Sequence, residues 1–320
     1  MYYQRSLWRA GSTLCILLLI GGCAAPAAMS RLPFAALSQA GRVVATIKAG
    51  SALGAIAVGA GAVWVTDLNE GALLRIDPTT NRVIAKIKAG PVLGAVSAGG
   101  NGVWLVDLTA GSLIHIDPAT NKIVATINVS PALSSLTSGE GAIWLTNLTV
   151  GTLVRVDPAA NRVTGIIKVG RALGAVAAGG GAVWLTDLGD GMLTRIDPRT
   201  NQIVARIEIG PAMGTLRFGA GAVWVPDFSD QSLVRVDPAT NRVATRIRIG
   251  GSPGSLAVGE GAVWLVDVSD GLVLRIAPAT NQVVGAIKIS PSLGGVAAGM
   301  GAAWVIDEGD GTVVRLAVGR

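Results

Sequence analysis

The sequence predicts an all-β protein, a seven-bladed β-propeller of four-stranded antiparallel blades. Three observations predict it: Trp recurs every 40 residues, each repeat divides into four short strand-like runs, and the chain ends are out of phase with the repeat. Repetition at this period is typical of propellers and solenoids, and the strand content favours a propeller. The predicted propeller spans residues 41–320, which is seven repeats of 40.

The tryptophan spacing defines the repeat. Seven Trp residues are separated by 40 positions each time: Trp64, Trp104, Trp144, Trp184, Trp224, Trp264 and Trp304. We expect each indole to lie on the second strand of its blade and to fill the space against the neighbouring blade, because one aromatic side chain buries a large apolar area.

Each repeat contains four strand signals. In residues 171–210, β-rich runs at 173–178, 182–188, 192–196 and 202–209 are bounded by Gly, Pro or Asn. Short runs between such turn residues predict one antiparallel blade. The recurrent Asp-Pro-x-Thr-Asn segment predicts a tight turn, because Asp bonds its own backbone, Pro presets φ and Asn tolerates the left-handed region.

The chain ends predict a closed ring. Residues 312–316 resemble a third strand, and residues 42–48 resemble an isolated fourth strand that matches 82–88. In a ring, the N-terminal strand would complete the seventh blade and cover its unpaired edge.

The first 40 residues predict targeting rather than fold. Arg5 and Arg9 precede an apolar run at 14–20, and Ile20-Gly21-Gly22-Cys23 follows. This segment resembles the lipobox of bacterial lipoproteins, which implies a signal peptide over 1–23 and lipidation of Cys23. The alternatives are an ordinary signal peptide or an uncleaved anchor. Residues 24–40 are predicted to form a tether.

Composition limits the class of protein. Half of the residues are hydrophobic and only 14% are charged, which excludes a disordered chain. Cys15 and Cys23 are the only cysteines, so the propeller has neither disulfides nor thiol catalysis. We therefore expect an exported, membrane-anchored lipoprotein in the periplasm or at the cell surface, a monomer that contacts the membrane through its lipid anchor only.

The repeat motif itself resembles a known group. The pattern G-A-V-W-(V/L)-x-D followed by (I/V)-D-P-x-T-N-x-(V/I) is similar to that of the virginiamycin B (streptogramin) lyase-like and YncE-like (YVTN-repeat) propellers, over all of 41–320. For the lyases, the resemblance implies general-base ring opening assisted by histidines and magnesium. The only His, His115, occupies a third-strand register that holds Arg in six other repeats, which favours a structural role over a catalytic one.

Acidic residues concentrate on one face. Twelve of the twenty lie within eight residues after a Trp, in predicted loops without Lys or Arg. This predicts an electronegative sector that attracts a cation, a metal or a basic partner. The candidate metal ligands are Asp187, Asp227, Asp267 and Asp307. The alternative is that these residues only form turns, since the full spacing of a calcium loop is absent.

Blade 5 departs most from the other repeats. Arg217 and Phe218 replace small or β-branched residues on the innermost strand, and Phe228 follows Asp227 in the loop that holds Asp230. A guanidinium and two aromatics beside carboxylates form the best candidate ligand site. Alternatively, Arg217 pairs with a carboxylate and plugs the channel.

Blade 3 is the second departure. Ser134, Ser135, Thr137 and Ser138 make its inner strand polar, which predicts a polar wall in the channel, and Asn147 replaces the usual Asp.

Three functional hypotheses follow. The first is a non-enzymatic binding or scaffold module of the bacterial cell envelope, which holds an envelope protein or small ligand on its acidic face. The second is a streptogramin lyase-like or other metal-assisted lyase or hydrolase that uses this face. The third is a structural spacer. No cofactor is required, Mg or Ca is the candidate cation, and the evenly spread basic residues argue against a nucleic-acid partner.

Overall fold

The computed structural model describes residues 41–318 and contains 28 strands in seven four-stranded sheets. The predicted signal peptide, Cys23, the predicted tether and residues 319–320 lie outside the described residues. Within the described part of the chain, no helix is long and apolar enough to cross a membrane.

The strand bounds follow the 40-residue repeat. Blade 1 contains β2 (Leu53–Gly59), β3 (Ala62–Asp67), β4 (Ala72–Asp77) and β5 (Arg82–Lys88). Blade 2 contains β6 (Leu93–Gly99), β7 (Gly102–Asp107), β8 (Ser112–Asp117) and β9 (Lys122–Asn128). Blade 3 contains β10 (Leu133–Gly139), β11 (Ala142–Asn147), β12 (Thr152–Asp157) and β13 (Arg162–Lys168). Blade 4 contains β14 (Leu173–Gly179), β15 (Ala182–Asp187), β16 (Met192–Asp197) and β17 (Gln202–Glu208). Blade 5 contains β18 (Arg217–Gly219), β19 (Ala222–Asp227), β20 (Ser232–Asp237) and β21 (Arg242–Arg248). Blade 6 contains β22 (Pro253–Gly259), β23 (Ala262–Asp267), β24 (Leu272–Ala277) and β25 (Gln282–Lys288). Blade 7 contains β26 (Leu293–Gly299), β27 (Ala302–Asp307), β28 (Thr312–Ala317) and β1 (Val43–Lys48).

The N-terminal strand closes the ring, as the sequence predicts. β1 pairs antiparallel with β28, from Val43 opposite Leu316 to Lys48 opposite Thr312. Pairing continues into the adjoining backbone, where Ala317 N–H donates to the Arg42 carbonyl at 2.9 Å. The first strand of the propeller therefore supplies the outer edge of its last blade, and the predicted seven-bladed architecture is confirmed.

The alternation of strand direction creates two faces. We call the upper face the one that carries the connections between second and third strands and between blades. The lower face carries the turns between first and second strands and between third and fourth strands.

The tryptophans form the core between blades. All seven repeat indoles lie on second strands and are fully buried. Trp64, for example, belongs to a cluster with Leu93 and Val103 of the next blade. Six of the seven donate their ring N–H to the Gly carbonyl five residues earlier, at 3.0 to 3.2 Å. The predicted packing role of the tryptophans is confirmed.

A clamp of side chains on the third strands lies on the lower face. We define the clamp as the third-strand residue that stacks on the Trp of its own blade, which is an Arg in six blades. Five of these arginines also bond to the turn between the third and fourth strands of the next blade. The Arg75 guanidinium carbon lies 5.3 Å from the centre of the Trp64 ring. Its Nη1 donates to Pro118 O at 2.6 Å and to Asn121 Oδ1 at 2.8 Å. Six Arg residues stack in this way, at 5.0 to 5.8 Å.

Candidate functional site

His115 is a structural member of the clamp. Its ring stacks on Trp104 with centroids 3.9 Å apart, and its Nδ1 lies 2.7 Å from Asn161 Oδ1, which belongs to the turn of the next blade. Gly102 replaces the buried Ala of other blades, and an added Cβ there would overlap His115. Histidine and glycine are thus a matched pair, and the imidazole is used to hold two blades together.

The buried Asp at the end of each second strand builds a turn. Asp107 Oδ1 accepts the N–H groups of Thr109 and Ala110 at 2.9 and 3.2 Å, and Asn147 makes the same contacts in blade 3. Such bonds satisfy one carboxylate oxygen and fix the loop. In Asp187 and Asp267 the other oxygen, Oδ2, is buried without a hydrogen-bond partner among the described residues.

The four candidate metal ligands occupy this same position, one in each of blades 4 to 7: Asp187, Asp227, Asp267 and Asp307. In the described part of the chain, no three His, Cys, Asp or Glu side chains come close enough to share a metal ion. Each of the four lies in a different blade, and a Mg or Ca site that uses them stays a prediction.

Blade 5 separates the candidate ligand residues into two groups. Arg217 lies opposite Trp224 in the lower half of the inner strand, whereas Asp227 lies opposite Met213 near the upper face. The two positions differ by four residues, about 13 Å along a strand. The Phe218 ring covers Gly179 and Gly180 of blade 4, and the Phe228 ring covers Gly214.

Arg217 is half-buried on the innermost strand. Its Nη1 donates to Leu216 O at 2.8 Å, and burial lowers its pKa. The carboxylate partner that the sequence allowed is not found among residues 41–318.

Arginines of the fourth strands neutralise part of the acidic sector, which sequence reasoning missed. Arg246 Nη1 lies 2.9 Å from Asp227 Oδ2 and 3.0 Å from Asp230 Oδ2, and Arg206 lies 3.8 Å from Asp187. The loops themselves lack Lys and Arg, so only the position of these residues on neighbouring strands reveals the contact.

The charges nevertheless differ between the faces. The upper face holds thirteen carboxylates: Asp67, Glu70, Asp107, Asp187, Asp190, Glu208, Asp227, Asp230, Asp267, Asp270, Asp307, Glu308 and Asp310. It holds nine cations: Lys48, Lys86, Lys88, Lys168, Arg171, Arg206, Arg246, Arg248 and Lys288. The lower face holds seven carboxylates: Asp77, Asp117, Glu140, Asp157, Asp197, Asp237 and Glu260. It holds thirteen cations: Arg42, Arg75, Arg82, Lys122, Arg155, Arg162, Arg195, Arg199, Arg217, Arg235, Arg242, Arg275 and Arg315.

The inner serines of blade 3 bond to neighbouring blades. Ser134 Oγ donates to Leu173 O at 3.1 Å, Ser135 Oγ accepts from Val176 N–H at 3.3 Å, and the Ser138 and Ser97 hydroxyls lie 3.0 Å apart. These side chains tie inner strands together.

A collar of apolar side chains surrounds the upper mouth of the channel. We define the collar as the residue after each second strand: Leu68, Leu108, Leu148, Leu188, Phe228, Val268 and Glu308. In every blade, its backbone N–H donates to the carbonyl of the residue 16 positions earlier, just before the inner strand, at 2.8 to 3.1 Å. In six blades, Gly at the start of the inner strand leaves room for the collar side chain.

Glu308 is the one carboxylic acid of the collar. Burial, followed by the charge of Asp307, raises the pKa of Glu308 above its ordinary value. Desolvation disfavours the ionised form of this carboxyl group, and a cation placed beside it would favour that form. Comparing the same position across seven repeats would have identified it, because only this repeat lacks an apolar residue there.

Comparison of structures finds known proteins that are similar to this chain, whereas comparison of sequences finds none. No protein family model matches the chain, and no curated protein matches it. Virginiamycin B lyase from Staphylococcus aureus is similar in structure, with a TM-score of 0.72 and 16% identity over 83% of this chain and 95% of that one. A catalytically inactive His-to-Ala variant of that lyase with Quinupristin gives 0.72 and 17%, covering 83% and 94%.

Proteins with other activities are similar to this chain to the same degree. Kuenenia stuttgartiensis hydrazine synthase has a TM-score of 0.73 with 10% identity, over 83% of this chain and 96% of that one. Fold likeness does not by itself select a reaction. The chain is a seven-bladed β-propeller with the fold of virginiamycin B lyase.

Proposed function

We propose that this protein is an exported, lipid-anchored binding module of the bacterial envelope that holds its ligand or partner without chemical conversion. The observation that carries the proposal is the collar, an apolar ring with one carboxyl group at the mouth of the channel. Leu108 and Val268 are exposed there, and Glu70, Asp190 and Asp230 are exposed farther out on the same face.

The collar defines the chemistry of the ligand. A group that is both apolar and cationic would bury its body against the ring and pair its charge with Glu308. Removing water from both partners strengthens this pairing, and the rim charges attract a cation from a distance. The expected ligand is therefore an amphipathic cation or a basic, apolar segment of a partner protein.

The state of the ionisable side chains supports a non-catalytic role. His115 is stacked and bonded within the clamp. The repeated Asp residues accept backbone N–H groups in turns, and Arg246 pairs with both Asp227 and Asp230. General-base chemistry needs a group that is free to approach the substrate, and His115, Asp227 and Asp230 are engaged in contacts within the fold.

Calorimetric titration of the full chain with phenethylammonium, an aromatic ring joined to an ammonium group, tests the site. We expect Glu308→Gln to weaken binding roughly ten-fold, because a charge-assisted hydrogen bond is lost. Asp310→Asn, on the exposed rim two residues away, is the matched control and is expected to change binding little. Equal effects of the two substitutions would locate binding outside the collar.

The lyase hypothesis is favoured by one observation, the structural likeness to virginiamycin B lyase. The full chain is incubated with quinupristin, and the compound is followed by liquid chromatography. We expect the quinupristin peak to remain unchanged. Conversion that His115→Ala leaves intact would make the protein an enzyme with a different base.

A further inference from the structure

Counted over residues 41–318, the two faces of the propeller carry opposite net charge. The upper face has thirteen carboxylates against nine cations, and the lower face has seven carboxylates against thirteen cations. Six of the lower-face arginines belong to the clamp. Exposed cations at the lower edge include Arg42, Arg82, Lys122, Arg162 and Arg242, at the start of or just before the fourth strands.

Apolar side chains are exposed beside these cations. Each outer strand begins at the lower edge, and in four blades its first residues include two exposed aliphatic side chains in succession. These pairs are Val43–Val44, Val83–Ile84, Ile123–Val124 and Ile203–Val204. Arg or Lys directly precedes three of the pairs, and in blade 4 the exposed Arg199 lies in the adjoining turn. Cations next to exposed aliphatic groups are the composition of a surface that adsorbs to anionic lipid.

The chain enters the propeller at this same edge. Gly41 and Arg42 precede β1 at the lower end of blade 7, where the Arg42 carbonyl pairs with Ala317. Seventeen residues lie between Cys23 and Gly41. Even in a fully extended chain, the two positions are at most about 65 Å apart. A lipid on Cys23 therefore keeps the lower face of the ring within reach of the bilayer.

We propose that the lower face of the propeller lies on an anionic lipid bilayer, so that the upper face and its collar point away from the membrane. The proposal rests on the membrane attachment in the proposed function. Contact through several blades would add to the anchor, because each cation near an anionic leaflet strengthens adsorption about five-fold. Ligand binding at the collar would then occur on the side open to the surrounding compartment.

The test compares two variants of the full chain, each with Cys15→Ser and one added cysteine; Cys23 is present in both, so any label on it contributes equally to the two signals. Val204→Cys lies on the lower edge of blade 4, and Val150→Cys lies on the upper face of blade 3; the two Val side chains are 53% and 51% exposed. Both blades are farthest in the ring from blade 7, so proximity to the anchor does not favour either position. An environment-sensitive fluorophore is attached to each thiol, and the protein is incorporated into vesicles of phosphatidylglycerol and phosphatidylethanolamine.

We expect the label at position 204 to become several-fold brighter and to be quenched by brominated lipid, and the label at 150 to remain as in solution. Arg162→Glu with Arg199→Glu should reverse the change at 204. Lys168→Glu with Arg171→Glu, on the upper face of the same two blades, is the matched control and should not.

Three results would overturn the proposal: equal responses of the two labels, no difference between anionic and purely zwitterionic vesicles, or the same response at 204 in concentrated protein without vesicles. The last result would mean that outer strands pair between copies. The mass of the mature N-terminus separately reports acylation of Cys23. An uncleaved apolar segment would also hold the protein on the vesicle, so the label comparison reports docking whether or not lipidation occurs.

Discussion

The clamp and the collar occupy opposite faces of the same blades, and they respond differently to changes in the repeat. In the clamp, the one departure is compensated: His115 comes with Gly102, and the contact to the next turn is kept. In the collar, Glu308 replaces an apolar residue, and nothing in the described residues neutralises it as Arg246 neutralises Asp227. The compensated departure maintains the fold, whereas the uncompensated one supports the proposal of a ligand site at the collar.

The largest effect is expected from removing the closing strand, which breaks the ring on which both regions depend. Deleting residues 41–48 exposes the edge of β28 and uncovers the cluster that contains Ile47 and Trp304. We expect cooperative unfolding to be lost. The net free energy of unfolding of a protein is small, and the deletion removes a whole strand and its packing from blade 7. Thermal unfolding followed by circular dichroism checks this, with Thr46→Ala as the control. Cooperative unfolding at the parent temperature would contradict the closure.

A substitution in the clamp is expected to have an intermediate effect on stability. Arg195→Ala removes the stacking on Trp184 and the bonds to Pro238 and Asn241 at 2.8 Å. We expect a loss of about 2 kcal/mol in the free energy of unfolding, measured in urea. Glu208→Ala, on the outer strand of the same blade, is expected to cost little.

Restoring the common repeat in blade 2 sharpens the comparison. Gly102→Ala alone should destabilise, because φ is +111° and the new Cβ overlaps His115. The triple variant Asn101→Gly, Gly102→Ala and His115→Arg rebuilds the sequence of the other blades and should recover at least the wild-type stability. Additive losses in the triple variant would show that the substitutions in blade 2 are independent.

The smallest effect is expected from a change of pH. The sign of the change in stability differs between Glu308 on the upper face and Asp77 on the lower face. The raised pKa of Glu308 means that the folded state holds its proton longer, so this residue lowers stability as pH rises from about 4.5 through its folded-state pKa. The backbone N–H groups of Thr79 and Thr80 lower the pKa of Asp77, so its stabilisation is present above about pH 4 and is lost as pH falls.

Urea unfolding between pH 3 and 8 measures both contributions. Glu308→Leu should remove the loss of stability toward neutral pH, and Asp77→Asn should reduce the loss in acid. Identical pH profiles for wild type and Glu308→Leu would mean that the carboxyl group is not desolvated in the collar.

The sequence predicted the fold because each part of the repeat has a strong local sequence signal. Trp spacing, Asp-Pro turns and the isolated strand at 42–48 each fix geometry within one or two blades. The neighbours of the candidate site residues are harder to predict from the sequence, because they depend on which end of a strand each residue occupies. Phe218 and Phe228 are near in sequence yet lie toward opposite faces, and Arg246 meets Asp227 only across two strands.

The clamp also illustrates how a chemical group can mislead. A single histidine in a fold shared with a lyase suggests a base, but its register with Arg75 and Arg155 indicated structure, and the stacking on Trp104 agrees. The Trp104 ring N–H has no hydrogen-bond partner among the described residues, unlike the other six. Blade 2 thus keeps the contact to blade 3 through Asn161 and lacks the bond from Trp to the Gly carbonyl that the other six blades make.

Pairing β1 with β28 sets the order in which the molecule can be completed. Of the described strands, β1 is synthesised first and its partner β28 last, so Lys48 has no strand partner until Thr312 has been made. Six blades can form from hairpins between strands that are neighbours in sequence, but the seventh requires contact between the two most distant described strands, and such long-range contacts form slowly. The edge of β1 therefore stays unpaired until β28 has been synthesised, and during this interval a chaperone or a second copy can bind it.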